Sequence, residues 1–409
     1  VRHDTVVIGG GQAGLAMSAV LRERGRDHVV VERHRVGERW RSERWDSLRF
    51  QFPNWSVTLP GHRYAGADPD GFASAAEIAR LIEGYATPAP VREHTEVLSV
   101  DRDDDGFRVV TNGDPLLARD IVVATGPFQR PRVPRFASDL PAHIMQTDPT
   151  RYRNPDSLPP GSVLVVGAGA SGIQISEELV AAGRTVILAT SRHRRVPRRF
   201  RGRDAYWWLE RMGRFEQTID TFPDRRWPPS TAVTGVNGGH DIDLRSLASA
   251  GARIAGSMTG AAGGRALFAR NANDILDEAD AAYVSFIDTA RALAPTIEEP
   301  LGDDDAIVPT RTPVPEVDAI NFVPERISGI IWATGYKYDY RWLHVDVIDT
   351  GGRPVQRRGV TSVPGLFFLG LHWMHTFKSG LLSGVGTDAR FIADRLDDRS
   401  RGIVTDLRL

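Results

Sequence analysis

Thr5-Val6-Val7-Ile8-Gly9-Gly10-Gly11-Gln12-Ala13-Gly14 is a β-branched run that breaks into a glycine-rich turn. The same order returns at Ser162-Val163-Leu164-Val165-Val166-Gly167-Ala168-Gly169-Ala170-Ser171-Gly172. Each run reads as a buried parallel strand, and after each turn the apolar positions take helical spacing. Such glycines let the chain reverse tightly, so that a helix N-terminus aims its free N–H groups at a pyrophosphate. A single GxGxxG also occurs in plain strand-to-helix connections. Two copies in the same context predict an α/β fold with two Rossmann-like dinucleotide-binding domains.

The residue ending the second strand of such a unit faces the adenosine ribose. In the first copy it is Glu32, after Val29-Val30-Val31, with Arg33 next. A carboxylate there accepts from both ribose hydroxyls and repels a 2′-phosphate, which suits FAD or NAD. In the second copy Thr185-Val186-Ile187-Leu188-Ala189 runs into Thr190-Ser191-Arg192-His193-Arg194-Arg195. Without an acid and with several cations, this end favours NADPH, with Ser191 and Arg192 as the phosphate ligands. Six arginines lie at 194, 195, 198, 199, 201 and 203 and cannot all reach one phosphate. They read as a solvated face or a channel rim.

The 409 residues suffice for two or three domains, and 41% apolar with 25% charged residues is ordinary globular composition. A formal charge of −1 provides no field for nucleic acid or an anionic membrane. No apolar run reaches membrane-spanning length and no signal-peptide pattern opens the chain, so a cytoplasmic location is expected. Val1 in place of Met suggests that the initiator is missing from this sequence. Zero cysteines rule out a redox-active Cys pair, disulfides and thiolate metal sites. No HExxH or carboxylate facial pattern occurs, and no metal is expected.

After the first unit, residues 36–69 lose periodicity and carry Trp40, Trp45, Phe50, Phe52, Trp55 and Tyr64. A long aromatic loop inside a domain is a binding-loop signature. A helix over 75–85 and strands over 96–101 and 107–111 follow, then Ile121-Val122-Val123-Ala124-Thr125-Gly126. Ala-Thr-Gly recurs as Ala333-Thr334-Gly335 after a strand starting at Ile327. The two steps flank the second fingerprint, so the NAD(P) domain is inserted into a discontinuous FAD domain. The expected parts are 1–127 (FAD, first part), 128–334 (NAD(P)H, with a helical elaboration) and 335–409 (FAD, C-terminal part). The proline-rich stretches 127–160 and 309–324 read as connections. Near the end, Gly365 to Gly370 is a strand that leads through Ser379-Gly380-Leu381-Leu382 into a last helix. That helix start is suited to the negative charge of a reduced flavin, which is the reading preferred here over tight packing of small residues against the sheet.

Taken together, Gly9, Gly11, Gly14 and Glu32, the second fingerprint, both Ala-Thr-Gly steps and Ser379 to Ala389 resemble the two-domain flavin-containing-monooxygenase type over most of the chain. The resemblance implies FAD, reduction by NADPH with NADH also open, and a C4a-(hydro)peroxyflavin that oxygenates a small substrate. It also implies a homodimer. Asn54 is then the catalytic candidate, as an amide beside the flavin, against an Asx turn after Pro53. Arg39, Trp40, Gln51 and Val97 become FAD neighbours, with Thr125, Gly126 and Gly370. Trp55, Trp207, Trp208, Trp373, Met374 and Phe377 are candidate walls for an apolar, aromatic or heterocyclic substrate. The family's FxGxxxHxxx signature is degraded here to Phe136 through His143. An NAD(P)H oxidase or dehydrogenase without oxygen insertion is the alternative, and a non-catalytic nucleotide sensor is a third reading.

Overall fold

Two parallel sheets carry the two fingerprints. The computed structural model describes residues 2–222, 228–309 and 311–403; Val1 lies outside them. In the first sheet the order is 91–92, 28–31, 2–8, 116–123, 106–111, 97–103. The strands Arg2–Ile8, His28–Val31 and the end of Leu116–Val123 run parallel, with Val6 between Val29 and Ile121. Val6, Val7, Val30, Val122 and Val123 are fully buried in a core shared with the helices Gln12–Glu23 and Val385–Ser400 and with Tyr340, Leu343 and Val347. Along its edge away from Arg2–Ile8, Leu116–Val123 takes two partners: its first half pairs antiparallel with Gly106–Thr111, and its second half parallel with Leu366–Phe368. The last strand of the chain thus returns to the first sheet.

The second sheet has the order 145–147, 327–332, 162–166, 186–189, 253–255, all parallel. All its strands fall between the two halves of the first sheet, which makes the insertion visible in the topology. Ser162–Val166 is buried throughout. The helices Gln12–Glu23 and Ala170–Ala181 follow the two glycine turns. The two crossings run side by side as an antiparallel ribbon, with Tyr336 opposite Pro131 and Lys337 opposite Arg130.

Each Ala-Thr-Gly step belongs to its own fingerprint, a detail that the flanking pattern did not reveal. A Cβ on Gly9 would lie 2.6 Å from the Ala124 carbonyl oxygen, and one on Gly167 2.4 Å from that of Ala333. Both glycines have positive φ, +114° and +109°. No helix of the described residues is long and apolar enough to cross a membrane.

Candidate functional site

Both fingerprints open into one cavity of about 650 Å³ between the sheets. From the first unit Gly9, Gly11, Gln12, Ala13 and Glu32 line it, and from the second Gly169, Ala170 and Ser171. The N-caps of the two helices are Gly11 and Gly169, neither helix has an acid in its first turn, and no side chain caps either end. The exposed N–H groups and the helix dipole therefore favour an anion.

Gly11 and Gly169 test whether a pyrophosphate fits. Both have ordinary negative φ, −86° and −71°. A Cβ on either would meet nothing of the protein within 4 Å. Neither backbone conformation nor packing calls for glycine there, so what these positions preserve is open space against a helix N-terminus. Gly14 and Gly172 differ: a Cβ would lie 1.9 Å from the Gly9 or Gly167 carbonyl oxygen. With Gly167 they stand behind the cavity wall and hold helix against strand.

Glu32 is fixed by its main-chain neighbours. Its Oε2 accepts from Gly10 N–H at 2.7 Å and its Oε1 from His34 N–H at 2.9 Å. The second unit repeats the arrangement with an alcohol: Ala168 N–H donates to Ser191 Oγ at 2.9 Å. Ser191 therefore stands behind the cavity wall, while Arg192 is exposed and 3.7 Å from Glu278.

The remaining candidates divide. Arg33, Arg39, Trp40, Gln51, Thr125, Gly126, Ala333, Gly335, Gly370, Gly380, Leu381 and Leu382 all line the cavity. Gln12 Nε2 donates to the Gly380 carbonyl at 2.6 Å, joining the first fingerprint to the turn before the last helix. Thr334, Ser379 and Val97 do not line it. Thr334 Oγ1 bonds the Arg132 carbonyl. Ser379 Oγ accepts from the N–H groups of His375 and Thr376. Val97 pairs with Thr111 in the antiparallel strands.

Asn54 requires a correction. Its Nδ2 donates to the Asp68 carbonyl at 2.9 Å and its Oδ1 accepts from Ala73 N–H at 2.8 Å. Both ends of the buried amide thus close the loop 54–73, away from the cavity, so Asn54 neither lines the cavity nor makes the Asx turn weighed against that role. The arginine run is corrected as well. Arg195 is buried against Asp241, Asp243 and Asp280, and Arg198 against Asp204. These two cations are structural ties, whereas Arg199 is exposed, as read from the sequence, and Arg201 and Arg203 make exposed bonds to main-chain carbonyls.

Of the six candidate walls only Phe377 reaches the cavity, joined by Phe50, Phe52, Trp45, Phe128 and Tyr336. Trp208 is fully buried and donates Nε1–H to the Phe200 carbonyl. Behind Phe52 and Phe377 stands a second aromatic layer, with Tyr206 5.1 Å from Phe52 and Phe215 stacked on Phe377 at 5.6 Å. Of these, Trp45, Phe50 and Phe52 belong to the aromatic loop 36–69, in which nothing in the sequence distinguished wall from core, whereas Phe128 and Tyr336 lie outside it.

His372 also lines the cavity and was not anticipated. It is exposed toward the cavity, and enclosure by the surrounding protein pushes its pKa down from 6.5 to about 4. The imidazole is neutral at pH 7. The next residue, Trp373, is buried at φ +52° with an unbonded indole N–H, a strained backbone of the sort found at binding sites.

The chain matches the family described as pyridine nucleotide-disulphide oxidoreductase over residues 6–212. It is 33% identical over 396 residues to the "Uncharacterized oxidoreductase CzcO-like" of Geobacillus kaustophilus (strain HTA426), covering 95% of this chain and 97% of that protein. It is 31% identical over 184 residues to "Indole-3-pyruvate monooxygenase YUCCA1" of Oryza sativa subsp. japonica, covering 44% of this chain and 45% of that one. Among solved structures, a flavin-containing monooxygenase from Stenotrophomonas maltophilia superposes with a TM-score of 0.68 at 20% identity, over 98% of this chain and 99% of the other.

Proposed function

Since the chain belongs to the pyridine nucleotide-disulphide oxidoreductase family and shares the fold of a flavin-containing monooxygenase, we propose that it is an FAD-dependent, NAD(P)H-driven monooxygenase. Its substrate is small and apolar, aromatic or heterocyclic. The observation that carries this reading is the pair of cradles at Gly11 and Gly169, which face one cavity and are glycine without any need of the fold. FAD bound at the first cradle would supply hydride acceptance from the nicotinamide and activation of dioxygen. The protein supplies the rest.

Glu32 holds the adenosine ribose of FAD and excludes a 2′-phosphate. Leu381 and Leu382, just before the helix Val385–Ser400, form the cavity wall where the flavin end would lie, and the positive end of that helix would favour negative charge on a reduced flavin. Phe50, Phe52 and Phe377 keep that end dry, so that reactive oxygen goes to substrate instead of leaving as hydrogen peroxide. His372 offers a neutral imidazole that hydrogen-bonds without acting as a strong acid. With zero cysteines the chain has no thiol relay, so the disulphide chemistry of the family's name is closed to it. NADPH is the reductant assigned to the second cradle, and NADH is the competitor, because Arg192 has Glu278 beside it.

The test is isotopic. FAD-loaded protein with NADPH is presented with amines, sulfides, indoles and ketones under ¹⁸O₂. The reading expects substrate-dependent oxygen uptake and one ¹⁸O atom in product per NADPH. Full recovery of the electrons as hydrogen peroxide with every substrate identifies an NAD(P)H oxidase instead. Colourless protein that takes up no FAD ends both readings.

A further inference from the structure

Among the described residues four arginines line the cavity: Arg33, Arg39, Arg44 and Arg49. Three have a carboxylate within 4.0 Å: Arg33 has Glu96, Arg39 has Glu43, and Arg49 has Glu77. Among the described residues Arg44 has none. Its one hydrogen bond runs from Nη1 to the Glu43 carbonyl at 2.8 Å, and its guanidinium stacks over Trp40, 5.0 Å from the ring centroid. The group lies deep enough that burial lowers its pKa. A guanidinium has five N–H donors, and an enclosed cation is costly unless an anion meets it.

The place of Arg44 says which anion. It comes from the first unit, yet it lies near Tyr336 in the joint between the sheets as well as near Glu43 and Arg39 of its own segment. Tyr336 follows the strand Ile327–Trp332, which pairs with Ser162–Val166, the strand that feeds the second fingerprint. Ligands of open α/β sheets bind at this carboxyl edge. The acid nearest that joint on the second unit, Asp148, is already bonded by Thr150. Arg153, from the second unit, donates to the Arg44 carbonyl at 3.1 Å and moors the backbone there. On the second unit itself, Arg195 and Arg198 are taken by buried carboxylates, and Arg192 points to Glu278 outside the cavity wall.

We propose that Arg44 is the pyrophosphate clamp of the second dinucleotide, reaching across from the first domain to the anion seated on the Gly169 helix start. A planar fork suits two phosphate oxygens. The inference rests on the proposed function, because it presumes a pyridine dinucleotide at the second cradle. It adds that the first domain supplies the cation, so the nucleotide is gripped only when the two domains are together.

Calorimetric titration of FAD-loaded protein tests it with NADP⁺, NAD⁺ and 2′-AMP, in wild type, Arg44→Met and Arg44→Lys. Arg44→Met should weaken NADP⁺ and NAD⁺ alike, by tenfold or more, since the pyrophosphate is common to both. Arg44→Lys should recover part of that loss, and 2′-AMP, which has no pyrophosphate, should bind all three proteins equally. Unchanged binding of both dinucleotides to Arg44→Met overturns the proposal. So does a loss confined to NADP⁺, which places Arg44 at the 2′-phosphate, or loss of FAD from the variant, which gives Arg44 to the first dinucleotide. If wild type itself binds neither NADP⁺ nor NAD⁺, the proposed function fails before the clamp is tested.

Discussion

Arg198 is held on three sides. Its guanidinium bonds Asp204 at 2.6 and 2.8 Å, donates to the Gln51 carbonyl at 2.7 Å and stacks over Phe72 at 4.4 Å. Burial opposes charge on both partners, raising the pKa of Asp204 and lowering that of Arg198. Arg198→Met should therefore cost roughly 3–5 kcal/mol in urea unfolding, because it strands a buried carboxylate. Adding Asp204→Asn should recover a large part of the loss; a double variant as unstable as the single would show that packing on Phe72, not charge, holds this corner. His372 gives a pH dependence. Its folded pKa is near 4 against an ordinary 6.5, so between those values the unfolded chain binds a proton that the native imidazole refuses. Stability falls as pH drops through that window and is unaffected by this group above it. Burial also lowers the pKa of His28 and His193, which add to the same acid limb. His372→Gln should lose less stability than wild type between pH 7 and pH 5, and identical losses would mean that the ring titrates normally.

At the scale of the strand–turn–helix element, the two kinds of glycine should separate. Gly169→Ala places a methyl group in open space at φ −71°, so unfolding stability should change by less than about 0.5 kcal/mol. FAD content should hold while NADP⁺ affinity drops at least tenfold. Gly172→Ala drives a Cβ to within 1.9 Å of the Gly167 carbonyl oxygen and should cost roughly 3 kcal/mol, with binding lost as a consequence of the displaced helix. Equal stability losses in the two variants would refute the distinction. The element itself was fully legible: β-branched runs, fingerprints and helices stand where the periodicity placed them, with Ser162–Val166 at the boundaries read from sequence. Glycine spacing marks the turn whatever surrounds it. The local sequence does not say which glycine faces ligand and which faces backbone, because that depends on what lies across the turn. Asn54 shows the same limit, since its partners Asp68 and Ala73 come from 14 and 19 positions further along the chain. The arginine run deceived for a related reason: Asp241, Asp243 and Asp280, which neutralise Arg195, are remote in sequence.

In the molecule as a whole the cavity belongs to neither sheet alone, and one side of the joint between them is built from the short stretch 42–46 of the first unit. Trp45 is 5% exposed and packs in the core of the second unit with Val163, Ile173 and Leu188. Asn154 Nδ2 donates to Asp46 at 2.6 Å, and Arg153 donates to the carbonyls of Ser42 and Arg44. On the other side the crossings form the ribbon of Arg130–Pro131 with Tyr336–Lys337, fastened by Arg130 to Asp339 at 2.6 Å. A joint this dense should make the sheets melt together. A ligand that binds only the native state adds about 2.7 kcal/mol at one hundred times its dissociation constant, and in a coupled molecule that stabilisation is shared by both units. Scanning calorimetry of wild type should then show one transition that moves upward as a whole when FAD is added. Arg153→Met removes the donor to Ser42 and Arg44 while leaving every residue of the first cradle in place. It should lower and broaden the transition by weakening the coupling, with FAD raising chiefly the part that contains Glu32. A wild type that already melts in two steps, one of them indifferent to FAD, would mean that the stretch around Trp45 positions the units without coupling them. The shared cavity would then have to form anew at each encounter with the second dinucleotide.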